Sequence, residues 1–171
     1  MDRKIRRKIR DKYVLEAIRS NAEDILRFRE FNSSAKNIQH GNMSVRQHSI
    51  NVAKTSVKIS RMIPVQFKER EIIRGALLHD YFLYDWHDNH TTLHDILHFY
   101  KMHGFSHPGT ALKNASREFD LTLREEETIR KHMWPLTIVP PTCREAWIVT
   151  LADEHCSLLG TLRIHRGDKR G

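Results

Sequence analysis

Apolar residues recur at intervals of three and four along most of this chain of 171 residues, and this spacing constrains the fold more than any other feature. Such intervals predict amphipathic α-helices, whereas the alternation of a half-buried strand is missing except in short ambiguous runs such as 136–139. One stripe runs through Val45, His48, Val52, Thr55, Ile59 and Met62. With only 7 glycines and 5 prolines in the sequence, we predict an all-α fold.

Four motifs of the capping-box type mark expected helix starts. They begin at Ser20, Ser44, Thr122 and Thr142, each with Glu or Gln three residues later. Further helical stripes cover 72–84, 93–100, 108–119, the residues leading to 132, and 146–156. Because no repeat or linker interrupts them, we predict a single helical domain at 20–162. A basic helical extension at 1–19 and a basic tail at 163–171 flank it.

The formal charge of +8 is concentrated at the two ends of the chain. Residues 1–12 carry seven Lys or Arg against two Asp, and residues 163–171 carry four against one. The body is therefore neutral, so we expect solvated ends rather than a nucleic-acid partner, with polyanion contact at these ends as the alternative.

No apolar block follows the basic start, and no run approaches the ~20 apolar residues of a membrane span. Cys143 and Cys156 form no CxxC pair. We expect a cytoplasmic protein without a membrane partner, in which both cysteines are small core residues. The sequence does not indicate an oligomeric state.

The chain has 12 histidines, too many for one site, and their positions on the predicted helices indicate which of them could be ligands. Six residues whose side chains can bind metal fall on inward faces of the predicted helices: His48, His79, Asp80, His107, His132 and Asp153. A lone carboxylate buried among apolar residues is destabilising. Metal ions would let both carboxylates stay ionised, so we predict a metal site. For any single histidine, the alternative is a hydrogen-bonded core residue.

The order of these six residues, with RGALLHD at 74–80, GFSHP at 104–108 and LAD at 151–153, resembles the HD superfamily of metal-dependent phosphohydrolases. The resemblance covers about residues 44–160. It implies a helical bundle with a minimal ligand set of His48, His79, Asp80 and Asp153. His107 and His132 match the two additional ligands of relatives that bind two metals, and Asp80 matches the aspartate that bridges those metals. It also implies that Asp80, His107 and His132 are the catalytic residues.

The resemblance further implies the chemistry. Two divalent ions, iron or manganese by preference and zinc, cobalt or magnesium as alternatives, would activate a hydroxide. That hydroxide would attack a phosphoester or phosphoanhydride of a small, nucleotide-like substrate. The chain is similar to bacterial HD-type hydrolases of diadenosine tetraphosphate. It departs from them at Leu83 and after His132, where substrate should lie, so a separate group of HD proteins is expected.

Substrate contacts are less constrained than the ligands. Lys113 and Lys131 are candidates for binding phosphate, and Trp86 and Trp134 for stacking on a base. The alternative is that the lysines are solvated surface charges and the tryptophans pack. Two other functions stay open: an HD-type diiron oxygenase with the same ligands, and a non-catalytic metal- or nucleotide-binding protein.

Overall fold

The computed structural model describes residues 2–36, 38–40, 43–81 and 107–167. Eight helices lie in these ranges: α1 Arg3–Asn21, α2 Glu23–Arg27, α3 Arg29–Ser33, α4 Val45–Ser60, α5 Glu69–Leu78, α6 at 107–118, α7 Leu123–Lys131 and α8 Arg144–Gly167. The all-α prediction is confirmed. The predicted helix at 93–100 and the candidate Trp86 fall outside the described residues.

A short antiparallel ribbon precedes α4 and was not predicted. It pairs β1 (Ile38–His40) with β2 (Met43–Ser44), after a 3₁₀ turn at Ser34–Lys36. The ambiguous run at 136–139 forms turns and bends instead of a strand. Two strands this short leave too few residues for an alternating pattern to be visible in the sequence.

Helix α5 lies at the centre of the bundle, with every residue from Ile72 to Leu78 buried. It packs against α4, α7 and α8, and a helix enclosed on all sides is expected to be apolar around its circumference. Gly75 permits a close approach of α5 to α7. A Cβ built on Gly75 would lie 2.8 Å from Cγ2 of Thr128 on α7.

The buried face of α4 differs from the predicted stripe. Thr55 and Ile59 are only half-buried, and Met62 is 80% exposed, because the helix ends at Ser60. The buried face is wider than one stripe and contains Val45, His48, Ser49, Val52, Ala53, Ser56, Val57 and Ser60. The helix packs between α5 and α8, so two adjacent stripes are covered.

Two of the four predicted caps form. The Ser44 hydroxyl accepts a hydrogen bond from the Gln47 amide at 3.2 Å, at the start of α4. At the start of α7, Thr122 and Glu125 make both bonds of the capping box. In each case the partner lies three residues away, so the sequence motif contains the whole interaction.

The other two predicted caps are wrong. Ser20 lies inside α1, and its hydroxyl donates to the carbonyl of Ala17. Helix α8 begins at Arg144, where the amides of Thr142 and Cys143 donate to the Glu127 carboxylate of α7. A partner 15 residues away replaces the local one.

Helix α1 has two different halves. Its second half contributes Val14 and Ile18 to the core, whereas residues 2–10 are exposed. The predicted boundary at residue 19 thus falls inside a helix. Among the described helices, none combines the length and the apolarity that crossing a membrane requires.

Candidate metal centre

The structure brings the six predicted ligand residues together in one buried cluster. Five helices position them: α4 carries His48, His79 and Asp80 directly follow α5, α6 carries His107, His132 directly follows α7, and α8 carries Asp153. All six side chains are buried, with Asp153 the most exposed at 8%. Residues far apart in the chain therefore converge at one buried place.

One half of the cluster gathers around Asp153. Its Oδ1 lies 2.8 Å from Nε2 of His48 and 3.6 Å from Nε2 of His79. The same two ring nitrogens lie 3.8 Å and 3.1 Å from Oδ2 of Asp80. Two imidazoles and two carboxylates therefore face a common point.

The other half gathers around the second oxygen of Asp80. Its Oδ1 lies 3.2 Å from Nε2 of His107 and 3.5 Å from Nε2 of His132. Those two nitrogens are 3.0 Å apart. The carboxylate of Asp80 thus joins the halves, with one oxygen turned toward each pair of histidines.

Backbone hydrogen bonds fix the tautomers of two histidines. Nδ1 of His79 donates to the carbonyl of Ala76 at 2.8 Å, and Nδ1 of His132 donates to that of Ile129 at 2.9 Å. Carbonyls in the last turn of a helix have no partner within the helix, so these bonds satisfy them. With the proton on Nδ1, each Nε2 presents a lone pair to the cluster, the form in which histidine binds a metal.

The residues present fit divalent cations. Nε2 of His79 is buried without a hydrogen-bond partner, although carboxylate oxygens of Asp80 and Asp153 lie 3.1 and 3.6 Å from it. Lone pairs this close need a positive charge between them, which a proton or a metal ion supplies. Three overlapping groups have all their ligand atoms within 4.8 Å: His48 with His79 and Asp80, His79 with His132 and Asp153, and Asp80 with His107 and His132.

Electrostatics in the cluster keep the carboxylates ionised. Burial opposes the charge on Asp80 and Asp153, but the charge on His79 and the hydrogen bonds from the surrounding histidines together outweigh burial and hold the pKa of both carboxyls below the usual range. Burial likewise opposes charging of His79, yet the two carboxylates hold its pKa well above the ordinary value. Burial lowers the pKa of His132. Without a metal, one proton on His79 is the principal counter-charge.

The sequence prediction missed Ser157. Its hydroxyl donates to Oδ1 of Asp153 at 3.4 Å from one turn further along α8. The spacing of four residues could have indicated it, because such positions share a helix face. Ser157 adds an oriented donor behind one ligand oxygen.

The three candidate substrate residues that the structure describes are not part of the cluster. Lys113 is exposed on α6, whose buried residues His107, Ala111 and Ala115 recur every four positions on another face. Lys131 pairs with Glu127 at 3.5 Å. Trp134 packs edge-on against Trp147, with ring centroids 4.9 Å apart. Along the chain, Lys131 directly precedes the cluster residue His132, and Trp134 follows it by two residues.

The fold and the cluster together define a helical bundle built around an inward-facing His/Asp metal site. The family model described as "HD domain" matches residues 45–157. The chain therefore belongs to the HD domain family, within a superfamily of metal-dependent phosphohydrolases. Neither the curated proteins nor the solved structures contain a match to it. The similarity to diadenosine tetraphosphate hydrolases stays a prediction.

Proposed function

We propose that the protein is a metal-dependent phosphohydrolase that cleaves a phosphoester or phosphoanhydride bond in a small, nucleotide-like substrate. The observation that carries the proposal is the placement of Asp80. Its Oδ2 faces His79 at 3.1 Å, and its Oδ1 faces His107 at 3.2 Å. A carboxylate with one oxygen in each of two histidine groups is arranged to bridge two cations.

Under this proposal, His48, His79, Asp80 and Asp153 would hold one divalent ion. His107 and His132 would hold a second ion, with Asp80 shared between the two. The second group has fewer protein ligands, which leaves more coordination positions for water or substrate, as in catalytic sites. When bound, the ions lower the pKa of water toward neutrality and stabilise charge on the oxygens around phosphorus.

The side chains of this protein prepare the site for an anion. The Nδ1 hydrogen bonds of His79 and His132 keep their rings neutral and oriented once the proton on His79 has left. Two carboxylates then face two divalent ions, so the loaded site stays positive. Burial excludes bulk water, which strengthens the attraction for a phosphate group. Asp80, His107 and His132 are the residues proposed to lie nearest the reacting phosphate.

The donor set favours iron or manganese, with zinc, cobalt and magnesium as alternatives. Its donors are imidazole nitrogens and carboxylate oxygens. Cys156 lies one turn after Asp153, but its Sγ contacts the Thr55 hydroxyl at 3.5 Å. The thiol therefore has a partner outside the cluster.

The test is elemental analysis of the purified full chain and of two variants, His107→Ala and His132→Ala. We expect about two metals per chain in the wild type and about one in each variant. The matched control is His155→Ala, because His155 is an exposed histidine on α8 outside the cluster. About one metal per chain, unchanged in both variants, would overturn the two-metal proposal.

Activity is then tested with the metal-loaded protein on nucleotides and dinucleotide polyphosphates, with phosphate release as the readout. We expect turnover by the wild type. His107→Ala and His132→Ala should each reduce it at least ~100-fold, since both residues are proposed as ligands. Oxygen consumption without phosphate release would instead support the oxygenase function.

A further inference from the structure

A groove at the start of α1 is lined almost entirely by cations. It has a volume of about 890 Å³, and its lining residues are Asp2, Arg3, Lys4, Arg6, Arg7, Arg10 and Lys58. Lys58 is ten residues beyond His48 on α4, so about 15 Å of helix axis separates the groove from the metal centre. The groove is therefore a separate site.

The groove arises from the pattern along α1. Val14 and Ile18 lie on one face of this helix and are buried in the core. The same face continues toward the N-terminus, at intervals of three and four, as Arg10, Arg7 and Arg3. Where the helix leaves the body, its inward face thus changes from apolar to cationic. These arginines are exposed, so core packing does not explain them.

Acidic residues compensate only part of this charge. Asp11 pairs with Lys58 at 2.7 Å and with Arg7 at 3.9 Å. Asp2 caps α1 by accepting the Lys4 amide at 3.0 Å. In the part of the chain that the structure describes, no ion pair joins Arg3, Arg6 or Arg10 to a carboxylate. Crowded cations of this kind attract a polyanion, and the guanidinium fork suits phosphate oxygens.

We propose that this groove binds an extended chain of phosphates, as found in the backbone of a single-stranded nucleic acid or in inorganic polyphosphate. The groove is concave, which fits a strand better than it fits a flat membrane. None of the described residues that line it is aromatic, so they offer no platform for stacking bases. Recognition therefore rests on phosphates alone and is independent of base sequence.

The test measures binding of a fluorescein-labelled oligothymidylate of ~12 nucleotides to the full chain, by anisotropy at several salt concentrations. If about four phosphates are contacted, log K falls with log salt with a slope of about −3. Arg6→Gln/Arg10→Gln should weaken binding at least ~10-fold at low salt and flatten the slope by about 1.4, since two contacts are lost.

The matched control is Lys8→Gln/Lys12→Gln, which removes two charges at the same spacing on the same helix but outside the groove. It should change affinity less than about threefold. Equal losses of affinity in both double variants would contradict binding in the groove and indicate only a general effect of charge. Absence of binding at low salt to both the oligonucleotide and polyphosphate would also overturn it.

Two further measurements identify the ligand and separate this site from the metal centre. Competition between polyphosphate and the oligonucleotide shows which source of phosphates binds more tightly, and either order supports the groove. Binding to phosphatidylglycerol vesicles in preference to both would overturn it in favour of a membrane. The His107→Ala variant should bind the oligonucleotide like the wild type, whatever its metal content, and a parallel loss would contradict two separate sites.

Discussion

At the scale of single residues, Asp80 is the group on which the two halves of the cluster depend. Asp80→Asn keeps the size of the side chain but removes its charge. We expect it to lower metal content by at least one ion per chain and turnover by more than ~100-fold, because a direct ligand matters more than the outer groups that orient ligands. Elemental analysis and phosphate release measure both effects, and circular dichroism should show unchanged helices. Asp120→Asn, at an exposed aspartate, is the control.

His79 makes metal binding depend on pH. Burial opposes its charge, but Asp80 and Asp153 raise its pKa above the ordinary value. The protonated form stabilises the metal-free fold below pH ~6.5, and this stabilisation is lost as the pH rises through the raised pKa. Because a metal must displace that proton, we expect affinity to rise between pH 6 and 8, by up to ~10-fold per unit for each proton displaced.

Competition with a chromophoric chelator at pH 6, 7 and 8 measures this dependence. The carboxylates of Asp80 and Asp153 do not contribute to the pH dependence of metal affinity in this range, because their pKa values are lowered and they are already ionised. His79→Gln should flatten the dependence, whereas His155→Ala should leave it unchanged. Affinity independent of pH in the wild type would contradict a protonated His79.

At the scale of helices, the contact between α5 and α7 depends on Gly75. A methyl group there would meet Cγ2 and Cβ of Thr128 at 2.8 and 2.9 Å. We therefore expect Gly75→Ala to lower the free energy of unfolding by about 1–3 kcal/mol through overpacking. Gly109→Ala on α6 is the control, because nothing lies within 4 Å of its Cβ position. That change should be neutral or stabilise by up to ~1 kcal/mol. Urea unfolding of both variants measures the difference.

A buried ion pair also holds α5 against α7. Nε of Arg74 lies 3.1 Å from Oε1 of Glu125, and both side chains are almost fully buried. Arg74→Leu removes this partner and the bonds of Arg74 to Asp24, whereas Glu125 keeps the Thr122 amide and the Arg70 guanidinium. We therefore expect a loss of about 3 kcal/mol in unfolding free energy, the lower end for a broken buried pair. The exposed pair of Arg117 with Glu118 is the comparison, and Arg117→Leu should cost less than ~1 kcal/mol. Equal losses in the two variants, measured by urea unfolding, would contradict this role.

The helices themselves show why the sequence predicted some features and missed others. The caps at Ser44 and Thr122 were predicted because their partners are three residues away. The start of α8 was not, because Glu127 caps it from another helix. The six cluster residues could be selected because each lies on an inward face. Lys113 is a candidate for binding phosphate only because it is close to His107 along the chain. Its exposure depends on how α6 packs, which the sequence does not show.

At the scale of the whole molecule, the cluster ties together helices that are far apart in sequence. His48 on α4 and Asp153 on α8 are 105 residues apart, yet Nε2 and Oδ1 are 2.8 Å from each other. In the metal-free protein, the same contacts place several buried polar groups side by side. Two bound ions would therefore together stabilise the packing of five helices, and not only a local loop.

This coupling predicts a large effect of metal on thermal stability. A ligand at ~1,000 times its Kd adds about 4 kcal/mol to the unfolding free energy, and 1 kcal/mol shifts Tm by about 2–4 °C in a chain of this size. We therefore expect removal of metal by a chelator to lower Tm by roughly 8–16 °C, measured by calorimetry, with recovery when metal is restored. Asp80→Asn should show a much smaller shift, because its site is incomplete, whereas Asp120→Asn should behave like the wild type. A chelator shift of equal size in Asp80→Asn would mean that the stabilising ion binds elsewhere.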